Sequence, residues 1–449
     1  MLKRVVSLMF AVLLAVSMFA GCGSSSSGNG ETNTTSSTTS KGEAATAKDP
    51  ENISLMTPWA FPQEILDQFK AKTGIEVKQD VVPNSTTDYL QARNARMASG
   101  AELDIIGADG SDPADFAKKG TIIELTNEAW MKNFTDDSLK LMSQFTATPD
   151  KQFSAVFEAL TFGVWYNKDI FKQYNIEVPT NYEDFTAICE TLKKNGVTPM
   201  VQGGKDVWPL DQELNMFLEA IYTKYPNTWI DLYTGKVKFT DPDIVKEAKK
   251  LEVFYPDRNY YAKGTLSTTY DQAWQLMLQK KAAMWFMGSW ASEVMTKSNV
   301  QPEFEVGVFC PPMNYKGEAQ YDAKILSRNF CILSNSKKTD AAKKYLEFLT
   351  QPDIAQLFVD KGMTISTVKN VSSSTMVAGE DWAKLFALPM GGQNMLNKIA
   401  PDGKLYIPGA EFLKVKNMLE ANIVDGKMTV EQYLAELQKA QDIDIKNYK

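Results

Sequence analysis

Apolar positions along this chain follow two periods, and the periods alternate. Ile53-Ser54-Leu55-Met56 is an apolar run of strand length. Pro62 opens a stretch in which Ile65, Leu66 and Phe69 recur at helical spacing, and Gly74 ends it. Ile75 to Val82 alternates apolar and polar, the two-residue period of a strand. A helix is predicted around Tyr89 to Met97, stopped by Gly100. Glu102 to Ala108 then reads as a strand running into a loop, and Asp112-Pro113 as the next helix start. Val156 to Tyr166 is a long apolar strand region interrupted by Glu158. Thr180 with Glu183 reads as a capping box ahead of Phe185, Ile188 and Leu192, and Gly196 stops that helix. Further helical periods carry Leu214, Phe217, Leu218 and Ile221, then Ile244, Val245, Ala248 and Leu251 behind Asp241-Pro242, then Asp271 to Leu278. Two more strands are expected, at Phe304 to Phe309 and Phe330 to Leu333, the latter followed by a helix through Tyr345 and Leu349. The tail closes with helices at Glu411 to Ile423 and after Thr429, which pairs with Gln432 as a cap. Strands alternating with helices make this an α/β chain.

The run Ala282-Ala283-Met284-Trp285-Phe286-Met287 is continuous enough for a strand covered on both faces. Gly288 breaks it, and Ser289 is a plausible cap for the helix through Met295. Trp290 therefore falls at the carboxyl end of a strand, where open α/β sheets place ligands. An indole there either stacks on a ring-shaped ligand or fills core, and chemistry alone favours the core.

The first 50 residues are of another kind. Lys3 and Arg4 precede Val5 to Phe19, apolar apart from Ser7 and Ser17 and short for a membrane span. Ala20-Gly21-Cys22 follows, then a stretch from Gly23 to about Lys48 that is nearly all Ser, Thr, Gly and Asn, with almost nothing to bury. This predicts an export signal at 1–21 and a disordered tether at 22–50.

About 400 residues remain, enough for two domains. A net charge of −7 argues against nucleic acid or an anionic membrane surface as partner. The chain has no His, which removes the commonest general base, the Ser-His and Cys-His pairs and the usual zinc ligand. Binding is the expected activity, although chemistry by two carboxylates alone stays open. Of four Cys, those at 189, 310 and 331 lie outside the export segment, too scattered for a disulfide framework. Cys310 and Cys331 each follow a Phe in an apolar run, which leaves one bridge or two buried thiols. No phosphate loop, metal-ligand spacing or internal repeat stands out, and no cofactor is expected.

Several segments, in order, resemble the solute-binding proteins of carbohydrate ABC importers, the maltose-binding-like family. They are the opening Phe69-Lys70-Ala71-Lys72-Thr73-Gly74-Ile75-Glu76-Val77; Tyr166-Asn167-Lys168-Asp169-Ile170-Phe171 with Pro179-Thr180; the Trp-Pro element at Trp208-Pro209; Met284 to Trp290; Val306-Gly307-Val308; and Phe330 to Leu349. Ala20-Gly21-Cys22 resembles a lipobox, with Phe19 where Leu is usual. The resemblance covers most of 51–365 and the last forty or so residues; 366–410, with Trp382 and Tyr406, resemble nothing specific.

The resemblance implies a two-lobe periplasmic-binding-protein-like fold of type II with three hinge crossings. Lobe 1 would comprise 51–157 plus 308–365, and lobe 2 would comprise 158–307 plus 366–449. It implies a lipid on Cys22, a sugar held between the lobes by hinge closure, a membrane permease as partner, and a single chain as the working unit. Ligand contacts are expected from Trp59, Asp109, Glu158, Asp206, Trp208, Trp290 and Phe412. Each has a structural alternative: a half-buried loop aromatic for Trp59, a turn cap for Asp109, helix-start packing for Trp208, core for Phe412. Glu158 differs, because a charge in an apolar crossing strand needs a partner or water. The rival readings are a secreted carbohydrate-active enzyme, or the same fold holding a peptide or metabolite.

Overall fold

The computed structural model describes residues 52–82, 86–108, 112–144, 151–225, 227–297, 302–361, 365–372, 376–389, 398–399, 405–406 and 409–448. Cys22 and the leader and tether around it, and Asp109, lie outside them.

Two sheets organise the described chain. The first takes β1 (Asn52–Thr57), β2 (Glu76–Val81), β3 (Ile105–Ala108), β4 (Ala155–Leu160), β9 (Ile325–Ile332) and β10 (Ile365–Ser366), in the order β10-β4-β9-β3-β1-β2. The second takes β5 (Phe162–Asn167), β6 (Met200–Val201), β7 (Met284–Gly288) and β8 (Val306–Phe309), in the order β6-β7-β5-β8. Strands β4, β5, β7 and β8 are buried along their whole length, as continuous apolar runs require when helices cover both faces. Ile65, Leu66 and Phe69 of the helix Gln63–Thr73 face inward, and Gly74 ends it at φ 76°, its N–H on the Lys70 carbonyl at 2.8 Å. Only a residue without Cβ takes that angle without strain.

Three crossings join the lobes, each displaced from its expected place. The first falls at Thr161, not at 158, because Glu158, Ala159 and Leu160 still pair with β9 in the first sheet. The second runs through 310–324, because Val306–Phe309 pairs with β5; the return therefore begins after β8 instead of at 308. The third follows Lys369, whose N–H still bonds the Asn133 carbonyl in lobe 1 at 2.8 Å. The helix Gly379–Phe386 then belongs to lobe 2, where Trp382 is fully buried edge-on to Trp165 (5.2 Å). Gly163 makes room for it, since a Cβ there would sit 2.8 Å from the Trp382 ring. An apolar run announces a strand but not which neighbour completes its ladder, hence the shifts.

Local signals fared better, with two displacements. The helix after Gly288 spans Ala291–Lys297 while Ser289 Oγ is buried without a hydrogen-bond partner, so Ser289 does not cap it. Thr429 and Gln432 form a capping box. The helix Tyr182–Lys194 is capped by Asn181, whose Oδ1 accepts the Asp184 N–H at 2.9 Å, and not by Thr180. Cys189, Cys310 and Cys331 are buried thiols outside any disulfide, so Cys310 and Cys331 are not bridged.

Candidate functional site between the lobes

The topology decides where a ligand meets both lobes. In the first sheet β4 runs parallel to β3 and β1, and its carboxyl end leads straight into the crossing at Thr161. In the second sheet β5 starts at that crossing. Antiparallel β7 and its parallel neighbour β6 therefore end there. Strands β1, β3, β6 and β7 thus all end at the interlobe edge, the crevice where such sheets bind ligands.

Lobe 1 contributes Trp59, Glu158 and a residue the sequence reading missed, Arg328. Trp59 follows β1 and is half-buried, edge-on to Phe330 at 6.4 Å. Gly107 lets it approach β3, because a Cβ there would lie 3.2 Å from the indole. Glu158 is 3% exposed, and its Oε2 lies 3.1 Å from Arg328 Nε on the adjacent strand. The Arg328 guanidinium in turn sits 5.9 Å from the Trp59 ring centre. The partner expected of a charge in an apolar strand is thus an arginine one strand away. Arg328 carried no such signal, because polar Ser327 and Asn329 flank it in Ile325-Leu326-Ser327-Arg328-Asn329-Phe330. Its φ of +52° is uncommon for a side chain of that size.

Lobe 2 contributes an aromatic wall. Trp290 stands edge-on to Phe162 at 5.5 Å and 6.2 Å from Trp208, which leans on Tyr270 at 5.0 Å. Trp208 is 38% exposed, so this wall presents ring surface to solvent. The turn that carries Trp290 is pinned to the crossing, since the Ser289 N–H donates to the Thr161 carbonyl at 2.9 Å. Below the wall, Gln202 donates to the buried Glu213 carboxylate (2.9 Å) and to the Phe286 carbonyl (3.1 Å), while Tyr261 donates to Glu213 at 2.6 Å. Burial pushes the Glu213 carboxyl up to about 8. This network fixes the end of β6.

Two expected contacts are placed otherwise. Phe412 is 3% exposed in the lobe 2 core, stacked on Phe239 (5.5 Å) and edge-on to Trp229 (5.2 Å). Amphipathic spacing on its helix could not tell a core ring from a cleft ring. Asp206 is exposed, but its carboxylate accepts the Tyr270 N–H at 2.7 Å and so holds a loop. The buried residue at the crossings is instead Asp322. Its carboxylate accepts the Thr161 hydroxyl, its N–H donates to the Pro389 carbonyl (2.8 Å), and Lys324 Nζ lies 3.9 Å from it. One side chain thereby ties the first two crossings together.

Burial raises the Asp322 carboxyl from its ordinary 3.8 to about 7. A folded-state value above the unfolded one means that the native state holds the extra proton. Its contribution is full at acid pH and is lost as pH rises toward 7, by up to about 1.4 kcal/mol per pH unit. Glu213 adds a loss of the same sign at higher pH. Thermal melts should therefore show wild-type stability falling between pH 4 and 8. D322N, which keeps an acceptor for Thr161, should make that fall shallower; an unchanged slope would refute the assignment.

Two α/β lobes, crossed three times and edged by aromatic rings, define a type II two-lobe binding protein. The chain belongs to the bacterial extracellular solute-binding proteins, whose family model matches residues 57–356. An uncharacterized ABC transporter extracellular-binding protein of Pyrococcus horikoshii is 27% identical over 248 residues, 54% of this chain and 52% of its own. The multiple sugar-binding protein of Streptococcus mutans is 24% identical over 308 residues, 66% of this chain and 69% of its own. The match thus spans about half the length of the first relative and about two thirds of the second. Among solved structures, the solute-binding protein RafE in complex with raffinose superposes with a TM-score of 0.70 at 19% identity, covering 88% of this chain and 99% of that one. At that identity the likeness speaks for the fold. Among the described residues no helix is long and apolar enough to cross a membrane.

Proposed function

We propose that this chain is the substrate-binding subunit of an ABC importer and takes a sugar or oligosaccharide between its lobes. The observation that carries the reading is the part-exposed wall of Trp208, Tyr270 and Trp290 at the carboxyl ends of β6 and β7. Flat rings offer apolar surface to the faces of a pyranose, and neighbouring polar groups read its hydroxyls. Contacts to both lobes exist only when the lobes close, so the ligand shifts the population toward the closed form, and that form docks on the permease. A lipid on Cys22 holds the protein at the outer membrane face, and it works as a single chain that alters nothing chemically. Glu158 supports the non-catalytic reading, because its carboxylate is engaged by Arg328.

Isothermal calorimetry against raffinose, maltotriose, xylotriose, chitotriose and galactose tests this, with short peptides as the contrast. Saturable binding of a neutral glycan that is recovered intact is the expected result. Binding of peptides alone, or release of shorter sugars, would replace the reading with one of its rivals.

A further inference from the structure

Val207 stands just before Trp208, at φ +63° and ψ −60°. The Trp208 N–H donates to the Asp206 carbonyl at 2.7 Å. Together these make a γ-turn of the rare, strained hand. Among the described residues, Val207 is the one β-branched residue with positive φ; the others are Asn175, Lys280 and similar side chains without branching at Cβ. Such a backbone persists only where its surroundings over-determine it. Here they do. The Gly204 N–H donates to the Thr265 carbonyl (2.9 Å) and the Lys205 N–H to that of Thr268 (3.0 Å). The Asp206 carboxylate accepts the Tyr270 N–H from the same segment. Gly203 and Gly204 permit this contact, since a Cβ on either would come within 2.7 and 2.9 Å of backbone atoms there.

The turn itself does not need valine. Glycine makes it without strain. Nor does core packing keep the side chain, because Val207 is 46% exposed. A strained, branched, apolar side chain is thus held in solvent on the loop after β6, at the interlobe edge and next to the aromatic wall.

We propose that the Val207 isopropyl group is a ligand contact: with Trp208 it forms an apolar corner that receives the apolar face of a sugar ring and sets which rings fit. This rests on the sugar-binding reading above. The strained backbone is the cost of projecting that group, and it is offset only when a ligand covers it.

The test uses V207G and V207T on the full chain. V207G relieves the turn and deletes the contact; V207T keeps the branching and the strain but makes the contact polar. V207G should melt at the wild-type temperature or above it, yet bind the best glycan of the panel roughly 5-fold or more weakly, as losing a partly buried valine implies. V207T should show weakened binding with no gain in melting temperature. A structural role would lower stability and affinity together, so that pattern in V207G overturns the proposal, as does unchanged affinity. If the wild type prefers a peptide to every glycan, the sugar reading fails, and the same comparison on that peptide decides the role of Val207. If no ligand is found, a lower melting temperature of V207G alone overturns it, and an equal or higher one supports it.

Discussion

A methyl group on Gly288 should abolish most ligand binding while leaving the fold standing. Gly288 ends β7 opposite Phe162, and a Cβ there would lie 1.9 Å from the Trp290 ring and 2.3 Å from two further ring atoms. No real contact is that close, so the indole must leave its place. Its surroundings are Phe162 on one side and Trp208 on the other. A displaced ring breaks the wall that Trp208 and Tyr270 continue. Tryptophans at the centre of binding surfaces are commonly worth about 2 kcal/mol or more on truncation, roughly 30-fold in Kd. G288A and W290A should therefore weaken the glycan to a similar degree, read by calorimetry, and the double variant should lose little more. Wild-type affinity in G288A would show that the Trp290 ring does not face the ligand.

The other large effect concerns stability. Removing Glu158 leaves the Arg328 guanidinium almost fully buried beside Trp59 without its carboxylate. Breaking a buried pair from one side typically costs about 3–5 kcal/mol, far more than the intact pair contributes. E158A should lower the free energy of unfolding by that amount in urea titrations, and R328A should do much the same. The double replacement by methionine should cost less than the sum of the two single losses, since it removes both charges of the pair together. A loss in the double variant equal to the sum of the two single losses would mean that the two side chains act independently. The strained backbone of Arg328 suits a residue placed for its head group, because a sheet residue chosen for packing has no reason to leave the β region.

The sequence by itself determined which segments are helices and strands, and that they alternate as an α/β chain. Those signals are local. A glycine at 74, a Thr429–Gln432 cap, or an apolar run broken at Gly288 acts through neighbours a few residues away. Family motifs at Met284 to Trp290 and at Tyr166 to Phe171 added the two-lobe frame. What the sequence could not decide depends on partners far off in the chain. Whether Val306–Phe309 belonged to one sheet or the other was settled by its ladder with β5. Where the Phe412 ring packs was decided by Phe239 and Trp229, well over a hundred residues earlier. Asp206 was assigned to its loop by the Tyr270 N–H, and Glu158 to a buried pair by an arginine on the neighbouring strand. Val207 looked ordinary until the 265–270 segment held its backbone at a positive φ. Burial and pairing are properties of the packed chain, so only the tertiary structure could sort rings that fill the core from rings that stand at the interlobe edge.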